Sequence, residues 1–179
     1  MGSNGDYSKA DINRTSQAAN GLCVQGLSMD EDMAPVRDIF LEYARSLQVD
    51  LRFQSFDAEL LGLPGDYAAP AGGALLLARV DGALVGCVAL RAIDEVDYPN
   101  AAEMKRLYVR PAFRGLGFGR QLTEAVLDKA RELGYRHVLL DTLDDMEAAR
   151  ALYEELGFED IPPYYHNPIA GSHYLKVDI

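Results

Sequence analysis

The segment VRPAFRGLGFGRQL, residues 109–122, carries three glycines and three arginines between a strand-like run and a helix-like run. The N-terminus of a helix leaves backbone N–H groups unpaired and carries a partial positive charge. A glycine-rich loop that leads into a helix is therefore typical of sites that bind the phosphate groups of a ligand. The segment predicts such a site at Arg114 to Gly119.

Two nucleotide-binding motifs can be compared with this loop. The P-loop requires Gly-x-x-x-x-Gly-Lys followed by Ser or Thr, and no such segment occurs in the sequence. The dinucleotide fingerprint Gly-x-Gly-x-x-Gly matches Gly115 and Gly117, but Arg120 stands where a third glycine allows close helix packing. Asp141, at the end of the next predicted strand, stands where a ribose-binding carboxylate is expected. The dinucleotide alternative stays open, although the hairpin predicted upstream argues against it.

The distribution of charge limits the partners. A net charge of −11 repels phosphate backbones over most of the surface, which argues against nucleic-acid binding. The stretch from Met104 to Thr123 is an exception, with five basic residues and no acidic one. It favours an anion site within an acidic protein, and a solvated loop that contains arginines is the alternative.

The hydrophobic pattern predicts the elements around this loop. Apolar residues spaced by three and four predict three helices. The first runs from Val36 to Leu47, the second follows the glycine loop and ends at Gly134, and the third ends at Gly157. Asp81-Gly82 between two apolar runs predicts a two-residue hairpin turn, and one short helical stretch at most is expected within residues 50–73. Strands are predicted at LCVQGL, ALLLARV, ALVGCVALRA, EMKRLYV, HVLLD, GFEDI and SHYLKVDI. This order predicts a mixed α/β or α+β layer fold.

The chain as a whole fits one domain. A length of 179 residues and a hydrophobic content of 49% suffice for a single core, so residues 22–179 are predicted to form one domain. Residues 1–21 are polar and aperiodic, which predicts a disordered leader or a cloning scar. The sequence has neither a long apolar run nor a signal-peptide pattern, and we expect a soluble, cytoplasmic protein. Cys23 and Cys87 lie far apart in apolar runs, so no disulfide is expected.

Two signatures in order give the sequence a family resemblance. Arg114, Gly117 and Gly119 fit the pattern Arg/Gln-x-x-Gly-x-Gly/Ala between a strand and a helix, and ALYEELGF, residues 151–158, follows downstream. The sequence resembles the GNAT superfamily of acyl-CoA-dependent N-acetyltransferases over residues 22–179, most strongly over 103–158. The resemblance implies an α/β fold of the α+β type, a mixed, mostly antiparallel sheet of about six to seven strands flanked by about four helices.

The resemblance also implies acetyl-CoA as cosubstrate and coenzyme A as product. Backbone N–H groups of the loop would hold the pyrophosphate, with Arg110 and Arg120 adding positive charge nearby. The preceding strand would pair with the pantetheine arm, and one of its N–H groups would polarise the thioester carbonyl. The implied cofactor-binding residues are Leu107, Tyr108, Val109, Arg114, Gly115, Leu116, Gly117, Phe118, Gly119 and Arg120.

Two side chains are implied to act in the reaction. Tyr153 matches the position whose hydroxyl lies near the leaving sulfur, where a phenol with a pKa of about 10 can donate to the thiolate; a core tyrosine is the alternative. Glu103 resembles the position of a general base or water-orienting carboxylate, and a surface charge at the strand edge is its alternative. Many members place an asparagine seven residues before the tyrosine to contact the cofactor, and Met146 stands there. Either that contact is absent or a neighbouring group, Asp144 or Thr142, replaces it.

The acceptor pocket is implied to lie beside the second signature. The loop PPYYHNP, residues 162–168, holds aromatic and polar side chains between prolines, and simple loop packing is the alternative. The candidate acceptor-binding residues are Tyr67, Tyr164, Tyr165 and His166. The three histidines lack the His-Glu-x-x-His spacing of a zinc site, and no metal is expected.

The implied activity is transfer of an acetyl group from acetyl-CoA to an amine by direct attack in a ternary complex. Neither signature contains a cysteine that could carry the acyl group. The acceptor is left open between a small-molecule amine and a peptide or protein amine, and a homodimer is also left open. Neither a nucleic acid nor a membrane is expected as a partner. The alternative function is a non-catalytic acyl-CoA-binding sensor or interaction module.

Overall fold

The computed structural model describes residues 16–17, 21–28, 30–52 and 55–179. The strands in this part of the chain are β1 (Ser16–Gln17), β2 (Leu22–Gly26), β3 (Ala74–Val80), β4 (Ala83–Ile93), β5 (Ala101–Val109), β6 (His137–Leu143), β7 (Glu159–Asp160) and β8 (Ser172–Asp178). They form one sheet in the order β1-β2-β3-β4-β5-β6-β8-β7. β5 and β6 pair in parallel, and the other neighbours are antiparallel.

Helices cover both faces of this sheet. The α-helices among the described residues are α1 (Met33–Ser46), α2 (Phe56–Gly62), α3 (Phe118–Glu132) and α4 (Glu147–Glu155). Asp32 caps α1, because its carboxylate accepts a hydrogen bond from the Ala34 N–H at 3.0 Å. Gly134 and Gly157 follow α3 and α4 with φ of 86° and 87°, the left-handed conformation that ends many helices. The predicted helices and their glycine stops are confirmed.

A two-residue turn joins β3 to β4. Asp81 and Gly82 have φ of 48° and 81°, and positive values at both positions are what a type I′ turn requires. Val80 and Ala83 pair directly across this turn. The predicted hairpin is confirmed.

The sheet separates two hydrophobic cores. One core lies against α3 and α4 and contains Leu122, Val126 and Tyr153 of these helices. The other lies against α1 and α2 and contains Ile39 and Phe40 of α1. Because successive side chains of a strand point to opposite faces, the central strands β4 and β5 contribute to both cores, and β4 is a nearly continuous apolar run.

The predicted fold class is confirmed, since a mixed, mostly antiparallel sheet is covered by helices on both faces. Two of its strands, β1 and β7, have two residues each, which accounts for a strand count above the expected six to seven. Within the predicted leader, Ser16–Gln17 pairs with β2, while residues 1–15 and 18–20 lie outside the described residues. None of the helices described here is long and apolar enough to cross a membrane.

Candidate active site

The parallel strands β5 and β6 diverge partway along their length. Their ladder joins Ala101–Glu103 to His137–Leu139, although both strands continue beyond it. The divergence opens a cleft between them, and the described residues show no strand paired with this side of Leu107–Val109. The residues that line the cleft include Lys105, Leu107, Asp141, Thr142, Met146 and Tyr153.

A β-bulge in β5 borders this cleft. The register of β4 against β5 shifts between Cys87 and Ala89, and Arg106 of β5 has a φ of 60° there. Such a bulge increases the local twist and re-aims the side chains that follow it. The Arg106 guanidinium, whose side chain is 2% exposed, donates to both carboxylate oxygens of Glu59 at 2.9 and 2.8 Å. This ion pair fastens the bulge to α2 and thereby positions Leu107–Val109.

The glycine loop joins β5 to α3 and exposes its backbone. Gly115 and Gly117 have φ of 75° and 80°, conformations that residues with a side chain rarely adopt. In the part of the chain that the structure describes, no side chain caps α3, so the N–H groups of its first turn face outward without a side-chain acceptor. Phe118 is buried and stacks on Phe113 with 6.5 Å between ring centroids, which anchors the start of the helix. This geometry fits an anion at the N-terminus of α3.

The arginines around the loop are mostly compensated. Arg110, expected to add positive charge, instead pairs with Glu42 of α1 at 2.8 and 3.0 Å. Arg120 at the start of α3 pairs with Glu155 of α4. Arg114 is exposed and donates to a backbone carbonyl at the end of β5. Anion binding at this loop would therefore depend on backbone N–H groups and Arg114 more than on the basic stretch as a whole.

Tyr153 of α4 stands in the wall of the cleft. The residue is 4% exposed, and its ring packs on Phe158 with 5.4 Å between centroids. Burial, with smaller contributions from Tyr43 and Asp141, raises the pKa of Tyr153 above its ordinary value. The phenol therefore stays protonated at neutral pH and can donate a hydrogen bond. Tyr153 is a core residue and a cleft residue at once.

Glu103 lies in a second cavity beside the cleft. This cavity has a volume of about 250 Å³ and is lined by Ser55, Arg91, Ile93, Glu103, Lys105, Tyr164 and Tyr165. Glu103 is 1% exposed; its Oε2 accepts a hydrogen bond from Arg91 at 2.7 Å, and its Oε1 accepts one from the Tyr164 hydroxyl at 2.9 Å. It is a buried, paired carboxylate rather than an exposed charge at the strand edge. We call this cavity the Glu103 pocket.

Tyr164 and Tyr165, on the loop after β7, connect the diverging strands. Tyr164 donates to Glu103 of β5, and Tyr165 donates to Asp141 of β6 at 2.9 Å. Their ring centroids lie 5.4 Å apart, and both rings pack edge-on against Tyr174 of β8. Burial raises the pKa of the Asp141 carboxyl. The two tyrosines thus form a wall that spans the gap between β5 and β6.

The other two candidate acceptor residues lie elsewhere. Tyr67 is buried in the core beside α1, where its ring packs against Phe40 with 6.2 Å between centroids and its hydroxyl bonds to Glu59. His166 is exposed on the loop after β7. Neither residue lines the cleft or the Glu103 pocket as the structure describes them. Of the four candidates, the structure brings the two loop tyrosines to the pocket.

Met146 precedes α4 as its N-cap residue and lines the cleft. The buried Thr142 hydroxyl lies 3.7 Å from the Met146 sulfur. Asp144 is exposed and pairs with His173 instead. Of the two residues suggested to replace the asparagine, Thr142 is therefore the one at the cleft. Within the described ranges, no cluster of His, Cys, Asp and Glu side chains is placed to hold a metal ion.

Arg91 is a site residue that sequence reasoning missed. It interrupts the apolar strand β4, and the antiparallel register places it opposite Glu103 of β5. A charged residue inside an apolar strand, with an opposite charge on the next strand, is the signal that could reveal such a pair. Lys105, which the sequence presents only as part of a basic stretch, has a side chain that is 7% exposed. Its burial lowers the pKa of the ammonium group.

Comparisons with known proteins show what this chain is similar to. Residues 34–158 match the family model described as the Acetyltransferase (GNAT) family. An uncharacterized N-acetyltransferase of Schizosaccharomyces pombe is 34% identical over 160 residues, which cover 89% of this chain and 96% of the relative. The N-acetylaspartate synthetase of Rattus norvegicus is 32% identical over 141 residues, which cover 78% of this chain and 46% of the relative.

Solved structures share the fold. The crystal structure of a GNAT family acetyltransferase from Elizabethkingia anophelis with acetyl-CoA bound has a TM-score of 0.63. The match covers 89% of this chain and 99% of the other. At 20% sequence identity, the likeness is one of fold.

Proposed function

Since this chain belongs to the GNAT family of acetyltransferases, we propose that it transfers the acetyl group of acetyl-CoA to an amine by direct attack in a ternary complex. The observation that carries the proposal is that the cleft and the Glu103 pocket meet on β5, where Lys105 lines both. Two substrates bound in these spaces would have their reacting groups side by side, which direct transfer requires.

Acetyl-CoA is the acetyl donor, and the glycine loop would hold its pyrophosphate. Gly115 and Gly117 supply the left-handed turns, and the uncapped first turn of α3 supplies N–H donors. Tyr108 and Val109 pair with β4 on one side, so the other side of Leu107–Val109 would bond the amides of the pantetheine arm. The acetyl-CoA in the structure from Elizabethkingia anophelis supports this choice of donor.

Tyr153 would stabilise the departing thiolate. A thiol has an ordinary pKa of about 8.5, whereas burial keeps the pKa of Tyr153 above its ordinary value. Because the phenol is the weaker acid, it acts first as a hydrogen-bond donor to the thiolate. Full proton transfer follows only where the thiolate is also shielded from water, which raises the pKa of the thiol.

Glu103 would bind and orient the attacking amine. Arg91 donates to Oε2 through Nε, with its Nη2 atom also 2.7 Å from that oxygen, and Tyr164 donates to Oε1, so no more than three of about four lone-pair positions are in use. The remaining position can accept a hydrogen bond from the amine itself. It can also accept one from a water molecule that removes the proton of the amine. This matters because an alkylammonium ion, with a pKa of about 10.4, has no lone pair for attack. The nitrogen then bonds to the thioester carbon, and the C–S bond breaks.

The acceptor class follows only in outline from the family. The name of the rat relative indicates that it makes N-acetylaspartate, which supports a small amino acid as one candidate; a peptide amine is the other. The test incubates the protein with acetyl-CoA and a panel of amines, follows free thiol, and identifies the product by mass. We expect thiol release that depends on the amine, with an acetyl group on the product. Acetyl-CoA binding without amine-dependent release would favour the non-catalytic acyl-CoA-binding alternative.

A further inference from the structure

Among the residues that the structure describes, the side chains that line the Glu103 pocket carry more positive than negative charge. Arg91 and Lys105 are its cationic residues, and Glu103 is its carboxylate. Both cations approach the same oxygen, since Arg91 lies 2.7 Å and Lys105 lies 3.9 Å from Oε2. Asp66 lies 3.8 Å from Arg91, but its side chain is 78% exposed, so water screens that pair. This surplus is opposite in sign to the charge of −11 on the whole chain.

Lys105 is poorly solvated in this position. Burial lowers the pKa of its ammonium group, and the carboxylates of Glu103 and Asp141 oppose that effect. Asp141 lines the cleft and not the Glu103 pocket, and its carboxylate accepts a hydrogen bond from Tyr165. A further cation in the pocket would add repulsion to this group, whereas an anion would favour its charged form.

Arg91 is placed to contact a second carboxylate. Glu103 engages its Nε and Nη2 atoms, and its Nη1 atom is turned toward Asp66 near the surface. Its side chain is 36% exposed, whereas that of Glu103 is 2% exposed, so Arg91 keeps accessible surface beyond its contact with Glu103. Arginine binds carboxylates through paired, charge-assisted hydrogen bonds.

An amine must enter this pocket for transfer, yet a surplus of positive charge repels a simple ammonium ion. The conflict disappears if the acceptor carries its own negative charge. We infer that the acceptor is an α-amino acid or a close amino-carboxylate, whose carboxylate is bound by Arg91 and Lys105 while its amine lies toward Glu103. A volume of about 250 Å³ lies just below the range of typical small-ligand pockets, which suits a molecule of this size. The inference rests on the proposed transferase function and specifies its acceptor.

The test compares each of the twenty common α-amino acids with its carboxamide as acceptor for the wild-type protein. We expect at least one amino acid to be acetylated with a kcat/KM about 10- to 100-fold above that of its amide, the range for loss of hydrogen bonds between charged groups. The amine of an amino acid amide loses its proton more easily than that of the acid. Deprotonation alone would therefore favour the amide, so the measured ratio underestimates the contribution of the carboxylate.

Variants then assign the effect to Arg91. Arg91→Gln should lower the ratio of acid to amide kcat/KM about tenfold, with any remaining preference due to Lys105, and Arg91→Lys should lower it less. Because both rates come from one variant, a general loss of folding or of Glu103 positioning cancels from the ratio. Arg79→Gln is the matched control, since Arg79 of β3 pairs with Glu31 and does not line the Glu103 pocket. It should leave the ratio unchanged.

Two outcomes would overturn the inference and leave the transferase function standing. One is acetylation of the amides as fast as the acids; the other is acetylation of other amines and of no amino acid. Calorimetric binding of the same pairs to protein saturated with coenzyme A tests the inference without turnover, and equal affinities would overturn it. Absence of amine-dependent thiol release with every acceptor would instead overturn the transferase function.

Discussion

Replacing Tyr153 with Phe removes one hydroxyl from the wall of the cleft and keeps the ring that packs on Phe158. The substitution leaves no large cavity, so the protein should fold and bind acetyl-CoA as before. We expect kcat for acetyl transfer to fall because the departing thiolate loses a hydrogen-bond donor. The thiolate charge develops in the transition state and is absent from the bound thioester, so the loss belongs to kcat rather than to donor binding.

The magnitude follows from the strength of that hydrogen bond. A hydrogen bond to a charged group contributes about 1.5–3 kcal/mol, and each 1.36 kcal/mol is tenfold in rate, so kcat should fall about 10- to 150-fold. Burial keeps the pKa of Tyr153 above its ordinary value of about 10. The phenol of the wild type should therefore remain a donor up to at least about pH 9, where an exposed tyrosine begins to ionise.

The assay follows coenzyme A release with a thiol reagent at saturating acetyl-CoA, and calorimetry gives the Kd of acetyl-CoA. Tyr98→Phe is the matched control, because Tyr98 packs beside His137 with 5.8 Å between ring centroids and does not line the cleft. The control should keep the wild-type kcat. An unchanged kcat in Tyr153→Phe would refute the reasoning and leave Tyr153 with a packing role alone.

Three further predictions concern the loop, the bulge and the core. Gly117→Ala puts a side chain at a φ of 80°, a strain of about 1–2 kcal/mol. The free loop should relax from this conformation and binding must restore it, so the Kd of acetyl-CoA by calorimetry should rise about tenfold, whereas Gly62→Ala should leave it unchanged. Equal Kd values for Gly117→Ala and the wild type would contradict the role of the loop. Glu59→Gln leaves the buried Arg106 guanidinium without its carboxylate. Denaturant titration should show a loss of about 3–5 kcal/mol in the free energy of unfolding. An unchanged free energy of unfolding would mean that the bulge does not depend on this pair. Burial raises the pKa of the Cys87 thiol to about 12, so thiol reagents should label this residue only after unfolding. Mass spectrometry measures the labelling, and a labelled Cys87 in the native protein would contradict its buried position.

Turns and helix ends were predictable because they depend on a few neighbouring residues. Asp81-Gly82 is chemically suited to two positive φ values, and Gly134 and Gly157 are suited to the left-handed residue after a helix. The glycine loop was visible for the same reason. Each of these features needs only local backbone conformations that the residue types themselves indicate.

The partners that join distant segments could not be predicted in this way. Arg106 and Glu59 lie 47 residues apart, and Tyr164 and Glu103 lie 61 apart, so no periodic spacing links them. The basic stretch consequently resembled a set of available cations, whereas Arg110 is compensated by Glu42 of α1. Strand propensity also continues along β5 beyond Glu103 and along β6 beyond Leu139. The two strands diverge there because of tertiary packing, which strand propensity does not indicate.

A thermal-shift titration with acetyl-CoA, coenzyme A, NAD, NADP and ATP at equal concentrations tests most directly whether the glycine loop binds acetyl-CoA. A ligand at a hundred times its Kd adds about 2.7 kcal/mol of stability, which should raise the midpoint by about 5–10 °C in a chain of this size. We predict this shift with acetyl-CoA and coenzyme A, and no comparable shift with the other three. A shift with NAD or NADP and none with acetyl-CoA would contradict the assignment of the loop and, with it, the roles proposed for Tyr153 and Glu103.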